Sequence, residues 1–117
     1  MTDLTLLGYK YKLDMSRPLS DMNGNVGFCN FDRKYLQIAN DLEKDQQESI
    51  FIHEIIEAIN YHLELNLEHP QIMGLEVGLH QVLSDNGVDL GVLFTRSDNG
   101  DNGEHSGALF FKVKDST

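Results

Sequence analysis

Between residues 4 and 13, LTLLGYKYKL, apolar and polar positions alternate, with Leu7, Tyr9, Tyr11 and Leu13 on one side. A period of two predicts a strand with one buried face. The following stretch, SRPLSDMNGNVG, holds turn chemistry in Pro18, Asn23-Gly24 and Gly27. VGFCNF and KYLQIA then read as two short strands, and Asp32-Arg33 between them makes the pair a hairpin.

The period then changes. From Gln46 to about Leu65, the residues Ile52, Ile55, Ile56, Ile59 and Leu63 recur at helical spacing. Asp45, with Glu48 three residues on, fits a variant of the capping box. Isoleucine is a modest helix former, so packing rather than propensity must hold this helix. His69-Pro70 opens a second helix, where a proline at the first position loses no hydrogen bond. Ile72, Leu75, Leu79, Val82 and Leu83 form its expected buried stripe, and Asp85-Asn86-Gly87 stops it. The short link between the two favours an antiparallel αα-hairpin.

LGVLFT and ALFFKV are strand-like and allow a C-terminal β-hairpin. RSDNGDNGEHSG, residues 96–107, is rich in Asp, Asn and Gly and is expected to be a mobile loop. The fold class expected is α+β: N-terminal antiparallel strands, then the αα-hairpin, in one domain over residues 1–117.

Composition narrows the function classes. Hydrophobic residues make up 40% of the chain, a globular value. No apolar run reaches the ~18 residues that span a bilayer. The start, MTDLTLLGYK, lacks a cationic region and does not read as a secretory signal. The single cysteine, Cys29, offers no disulfide framework, so a reducing cytoplasm is expected. Cys29 itself reads as a small buried hydrophobe. Nine basic against nineteen acidic residues give a net charge of −10, which argues against direct nucleic-acid binding. The same charge suits a cation or a basic protein partner.

The candidate chemistry lies in FIHEIIEAIN, residues 51–60. His53 and Glu57 are four apart and rise from one helix face a turn apart, so both can meet one ion. In the zinc signature H-E-x-x-H, two imidazoles bind the metal and the intervening Glu activates water. Here Glu54 holds the base position and Glu57 replaces the second imidazole. A carboxylate remains a zinc ligand, so zinc is the first choice of metal, with Mn²⁺ or Fe²⁺ next. On the second helix Glu76, His69 and His80 line one flank of the apolar stripe and offer the missing ligands. A carboxylate there is costly unless paired or bound to a cation. The bland alternative is a buried polar cluster, His53 on a carboxylate, that keeps the helices in register. His62 and Tyr61 are expected on an exposed face. Asp98, Asp101 and Glu104 do not match the spacing of a calcium loop.

KYLQIANDLEKDQQESIFIHEIIEAIN and the later LEVGLHQVLSDN resemble the small zincin-like metallopeptidase proteins of phages and Gram-positive bacteria, the broad ImmA/IrrE type. The resemblance covers about residues 24–86. It implies an edge strand preceding an active-site helix, with a following helix giving a third ligand, often Glu. His53 would then be the first ligand, Glu54 the general base, and Glu76, nineteen residues beyond Glu57, the third ligand. Glu57 departs from the family's second His, and a His, Glu, Glu set makes a weaker Lewis acid. His69 or His80 would supply an imidazole in its place.

Two functions stand side by side at this point. One is a phage-type, metal-dependent hydrolase of a peptide or amide bond, working in the host cytoplasm. The other is a non-enzymatic acidic phage protein that binds a basic partner, such as a host defence or nucleic-acid-binding protein.

Overall fold

The computed structural model describes residues 1–94 and the backbone of Lys112–Val113. Four strands make one sheet: β1 (Thr2–Leu6), β2 (Tyr9–Asp14), β3 (Gly27–Asn30) and β4 (Tyr35–Ile38). They lie in the order β1-β2-β4-β3. The pairs β1–β2 and β3–β4 are antiparallel, while β2 and β4 run parallel, with Leu13 opposite Leu36. The α+β class is as expected, and the sheet is mixed.

The strand expected over residues 4–13 is two strands. Leu7 (φ 52°) and Gly8 (φ 84°) are both left-handed and form a two-residue hairpin turn. The turn reverses which positions point inward: Thr2, Leu4 and Leu6 are buried in β1, and Tyr11 and Leu13 in β2. Leu7 and Tyr9, assigned to the buried face by alternation, are exposed. The β3–β4 hairpin matches the expectation, with Arg33 N–H donating to Asn30 Oδ1 in its turn.

Helix α1 spans Lys44–Leu63 and α2 spans His69–Asp85. The expected Asp45 cap is displaced: Glu43 is the N-cap, Asp45 lies in the first turn, and no side chain caps the end. The capping box is on α2 instead, between Glu68 and Gln71. Glu64 (φ 54°) and Asn66 (φ 61°) turn the chain between the helices, and Asn86-Gly87 (φ 72°) ends α2 as expected. Helix α1 packs on β3 and β4 with one side and on α2 with another. The core is Tyr11, Leu13, Leu36 and Ile38 from the sheet, joined by Phe51, Ile52, Ile56 and Ala58 from α1 and Ile72 from α2.

The stripe expected on α2 is corrected. Only Ile72 is buried and Leu83 partly so, whereas Leu75, Leu79 and Val82 are 44–57% exposed. Helix α2 packs chiefly on α1 and on β5 (Val88–Asp89). One narrow stripe is therefore enclosed, and it runs Ile72, Glu76, His80, Leu83.

The segment expected as strand LGVLFT is a 3₁₀ turn at Leu90–Leu93, with Asp89 Oδ1 accepting from Gly91 N–H. β5 pairs with β6 (Lys112–Val113), which belongs to the expected strand ALFFKV. The rest of that strand, the 96–107 loop and Asp98, Asp101 and Glu104 lie outside the described residues. No helix among the described residues is long and apolar enough to cross a membrane.

Candidate metal centre between the two helices

At ~100° per residue, consecutive positions of α1 aim at different neighbours. His53 faces α2. Glu54 faces β3, where its Oε2 would lie 3.2 Å from a Cβ at Gly27. Glu57 falls between them on the wheel, about 40° from His53. H-E-x-x-E therefore sits where α1 emerges between α2 and the sheet edge.

The central contact crosses the helix pair. His53 Nδ1 lies 2.8 Å from Glu76 Oε1, and Ser49 Oγ–H donates to Glu76 Oε2 at 2.6 Å. A carboxylate can only accept, so this contact puts the ring proton on Nδ1. The other nitrogen, Nε2, turns to Glu57, with Oε2 at 3.3 Å. Glu57 and Glu76 thus stand at opposite nitrogens of one imidazole rather than on a common point. His69, exposed at the start of α2, stacks edgewise on His53 with ring centroids 6.3 Å apart.

Electrostatically the centre is short of cations. Among the described residues, no Lys or Arg pairs with Glu54, Glu57 or Glu76. Burial pushes the Glu54 carboxyl up to about 7; His53 is the next influence and pulls it down, and the charges of Glu57 and then Glu76 add to the rise. Burial also raises the Cys29 thiol to about 12, helped by Glu54 and Glu57, so Cys29 lines the same edge as a neutral group. Where β3 passes the centre, a Cβ on Gly27 would come within 2.5 Å of Ile50 Cγ2, so only glycine lets α1 lie this close. β3 is an edge strand among the described residues, and beside it Phe28, Cys29, Asn30, Phe31, Asp32 and Tyr61 line an open hollow of about 260 Å³.

A second polar group lies one turn away along the same interface. Asp45, Glu48 and His80 each offer a ligand atom, all within 4.8 Å of one another, so these three could hold a metal ion. Glu48 is 2% exposed. Its Oε1 comes within 3.5 Å of His80 Nε2, yet Glu48 Oε2 and His80 Nε2 have no hydrogen-bond partner.

The residues singled out in the sequence are thus divided. His53, Glu57 and Glu76 meet, with His69 alongside and Glu54 on the sheet side. His80 belongs to the second group. Asn60, beside the motif on the wheel, accepts Leu67 N–H and holds the interhelical turn. His62 is not free on the surface: it stacks on Tyr9 and binds the Tyr11 hydroxyl at 2.6 Å, while Tyr61 is 49% exposed as expected. Ser49 and Glu48 were missed by sequence reasoning. Glu48 continues the row Ile52, Ile55, Ile59 backwards at helical spacing, which marks it as an interior carboxylate.

No protein-family model, curated protein or solved structure matches this chain.

Proposed function

We propose that this chain is a zincin-like, metal-dependent hydrolase of a peptide or amide bond, with His53 Nε2 and Glu57 as the metal-holding pair. The observation that carries this reading is the Ser49–Glu76–His53 relay, which fixes Nδ1 and turns Nε2 to Glu57. A carboxylate on the far nitrogen of a ligating histidine is the usual outer partner that sets its tautomer and orientation. The Nε2–Oε2 separation of 3.3 Å also fits. Two ligands at ~2.0–2.1 Å in a tetrahedral shell stand about 3.3 Å apart. Glu76 then acts as the orienting carboxylate, and Glu54, Glu57 and Glu76, which no Lys or Arg among the described residues neutralises, favour a cation beside them.

A bound divalent ion would polarise the scissile carbonyl and make water more acidic. Glu54, with a proton affinity near neutrality, takes a proton from water and returns it to the leaving amine. The open edge of β3 accepts an extended peptide by backbone hydrogen bonds, next to Glu54. Two protein ligands leave positions for water and substrate, and the anionic set favours slow chemistry over fast. Zinc is the first choice of ion.

The test is hydrolysis of unstructured casein by untagged protein loaded with Zn²⁺ or Mn²⁺. Cleavage that vanishes in Glu54→Gln, while that variant still binds metal, supports the reading. Cleavage unchanged in Glu54→Gln contradicts it.

A second reading has its own observation. Helix α2 exposes Met73, Leu75, Val77, Leu79 and Val82 on a chain of charge −10. Met73 and Val77 lie on one flank of the enclosed stripe and Leu75, Leu79 and Val82 on the other, and exposed apolar side chains on an acidic surface suit a protein that binds a basic partner without catalysis. Capture of such a partner would then fail with Val77→Lys and survive Glu54→Gln.

A further inference from the structure

We propose that Asp45, Glu48 and His80 form a second divalent-cation site, distinct from His53 and Glu57, that clamps the first turn of α1 to the last turns of α2. Two observations carry it independently. The first is convergence: one acid from the N-terminal turn of α1, one acid from its buried side and one imidazole of α2 place ligand atoms within 4.8 Å of each other. The second is an unmet need. Glu48 is buried to 2% exposure, and its Oε2 has no hydrogen-bond partner, nor has the His80 Nε2 that faces it. A buried carboxylate with an unused oxygen is costly unless a cation meets it. The nearest ammonium on the helix, Lys44, is engaged with Asp89 at 2.8 Å.

The donors select the ion. One imidazole with two carboxylates suits a borderline divalent transition ion such as Zn²⁺ or Mn²⁺, whereas Ca²⁺ and Mg²⁺ take oxygen shells. Ligands at ~2.1 Å around one ion stand roughly 3–3.4 Å apart. Glu48 Oε1 and His80 Nε2, at 3.5 Å, are already near that spacing. Asp45 is exposed and has the side-chain freedom to close the rest. Water completes the shell on the open side.

The site has a consequence for its neighbour. His80 stands one turn beyond Glu76 on α2, and Glu48 adjoins Ser49 on α1. An ion held here fixes the register of α2 against α1, and so fixes the Ser49–Glu76–His53 contacts. It is a structural cation that preorganises the first centre.

The experiment uses the whole 117-residue chain, untagged and carrying His53→Ala so that the first centre is disabled, with Zn²⁺ and Mn²⁺ as probes. Titration calorimetry should find one ion per chain, and melting should rise on the order of 10 °C at a hundredfold excess over Kd. Adding Glu48→Gln should abolish both effects. Asp45→Asn, at an exposed position that does not threaten folding, should weaken binding by more than the ~10–100-fold cost of an outer-shell change. Binding that persists unchanged in Glu48→Gln and Asp45→Asn would overturn the proposal. So would His53→Ala protein that takes up no ion, which would leave Glu48 and His80 as an ion pair only. Neither outcome decides whether the first centre is hydrolytic, which is read separately through Glu54→Gln.

Discussion

Glu76 reaches across the helix pair to His53, Oε1 to Nδ1 at 2.8 Å, while its second oxygen is held by Ser49. In the proposed site this contact gives Glu76 the part of orienting the imidazole. Glu76→Gln, which keeps the shape and loses the charge, should therefore weaken Zn²⁺ binding at the first centre roughly 10–100-fold without abolishing it. His53→Ala should abolish it. Competition against a chromogenic chelator separates the two, and equal losses would make Glu76 a direct ligand.

Burial pushes the Glu54 carboxyl from its ordinary 4.5 up to about 7. A native value raised in this way gives stability that is fully present below about 4.5 and lost as the pH rises through 7. Chelator-treated protein should lose up to about 3 kcal/mol from this group between pH 4.5 and 8.5. Glu54→Gln should flatten that slope and be the more stable protein at pH 8.5. Urea unfolding at the two pH values measures both. A parallel slope in the variant contradicts the assignment.

Gly27→Ala should destabilise by about 1–3 kcal/mol, because the new Cβ meets Ile50 Cγ2 at 2.5 Å in a packed interior. The cost is steric, since Gly27 does not have a positive φ. The displaced α1 should also shift Glu54, so activity should fall further than stability alone explains. Thermal melting and casein cleavage on the same sample check both.

Leu7→Asn should stabilise the protein by about 1 kcal/mol. Leu7 is exposed and left-handed at φ 52° in the β1–β2 turn, a conformation that Asn tolerates. A lower denaturation midpoint would contradict that reading of the turn.

Leu7 also shows where sequence reasoning falls short. The alternation from residue 4 to 13 was real, but a Leu-Gly turn lacks the Asn-Gly signal, so two strands looked like one. The α1–α2 hairpin was legible because proline, glycine and helical spacing agreed on its ends. The exposed stripe of α2 was not, since periodicity identifies apolar faces but not which one finds a partner. His53 and Glu76 could be placed together from wheel positions alone. Glu48 reads as a cap because it follows Asp45 by three residues, although its spacing to Ile52, Ile55 and Ile59 carries the interior signal.

In the proposed arrangement His53 holds one divalent ion between the helices while Asp45, Glu48 and His80 hold another. Elemental analysis of untagged protein, equilibrated with Zn²⁺ and freed of excess, counts them. Two ions per chain are expected in the native sequence, one in His53→Ala and none when Glu48→Gln is added. A metal content that is the same in the native sequence and in His53→Ala would contradict it.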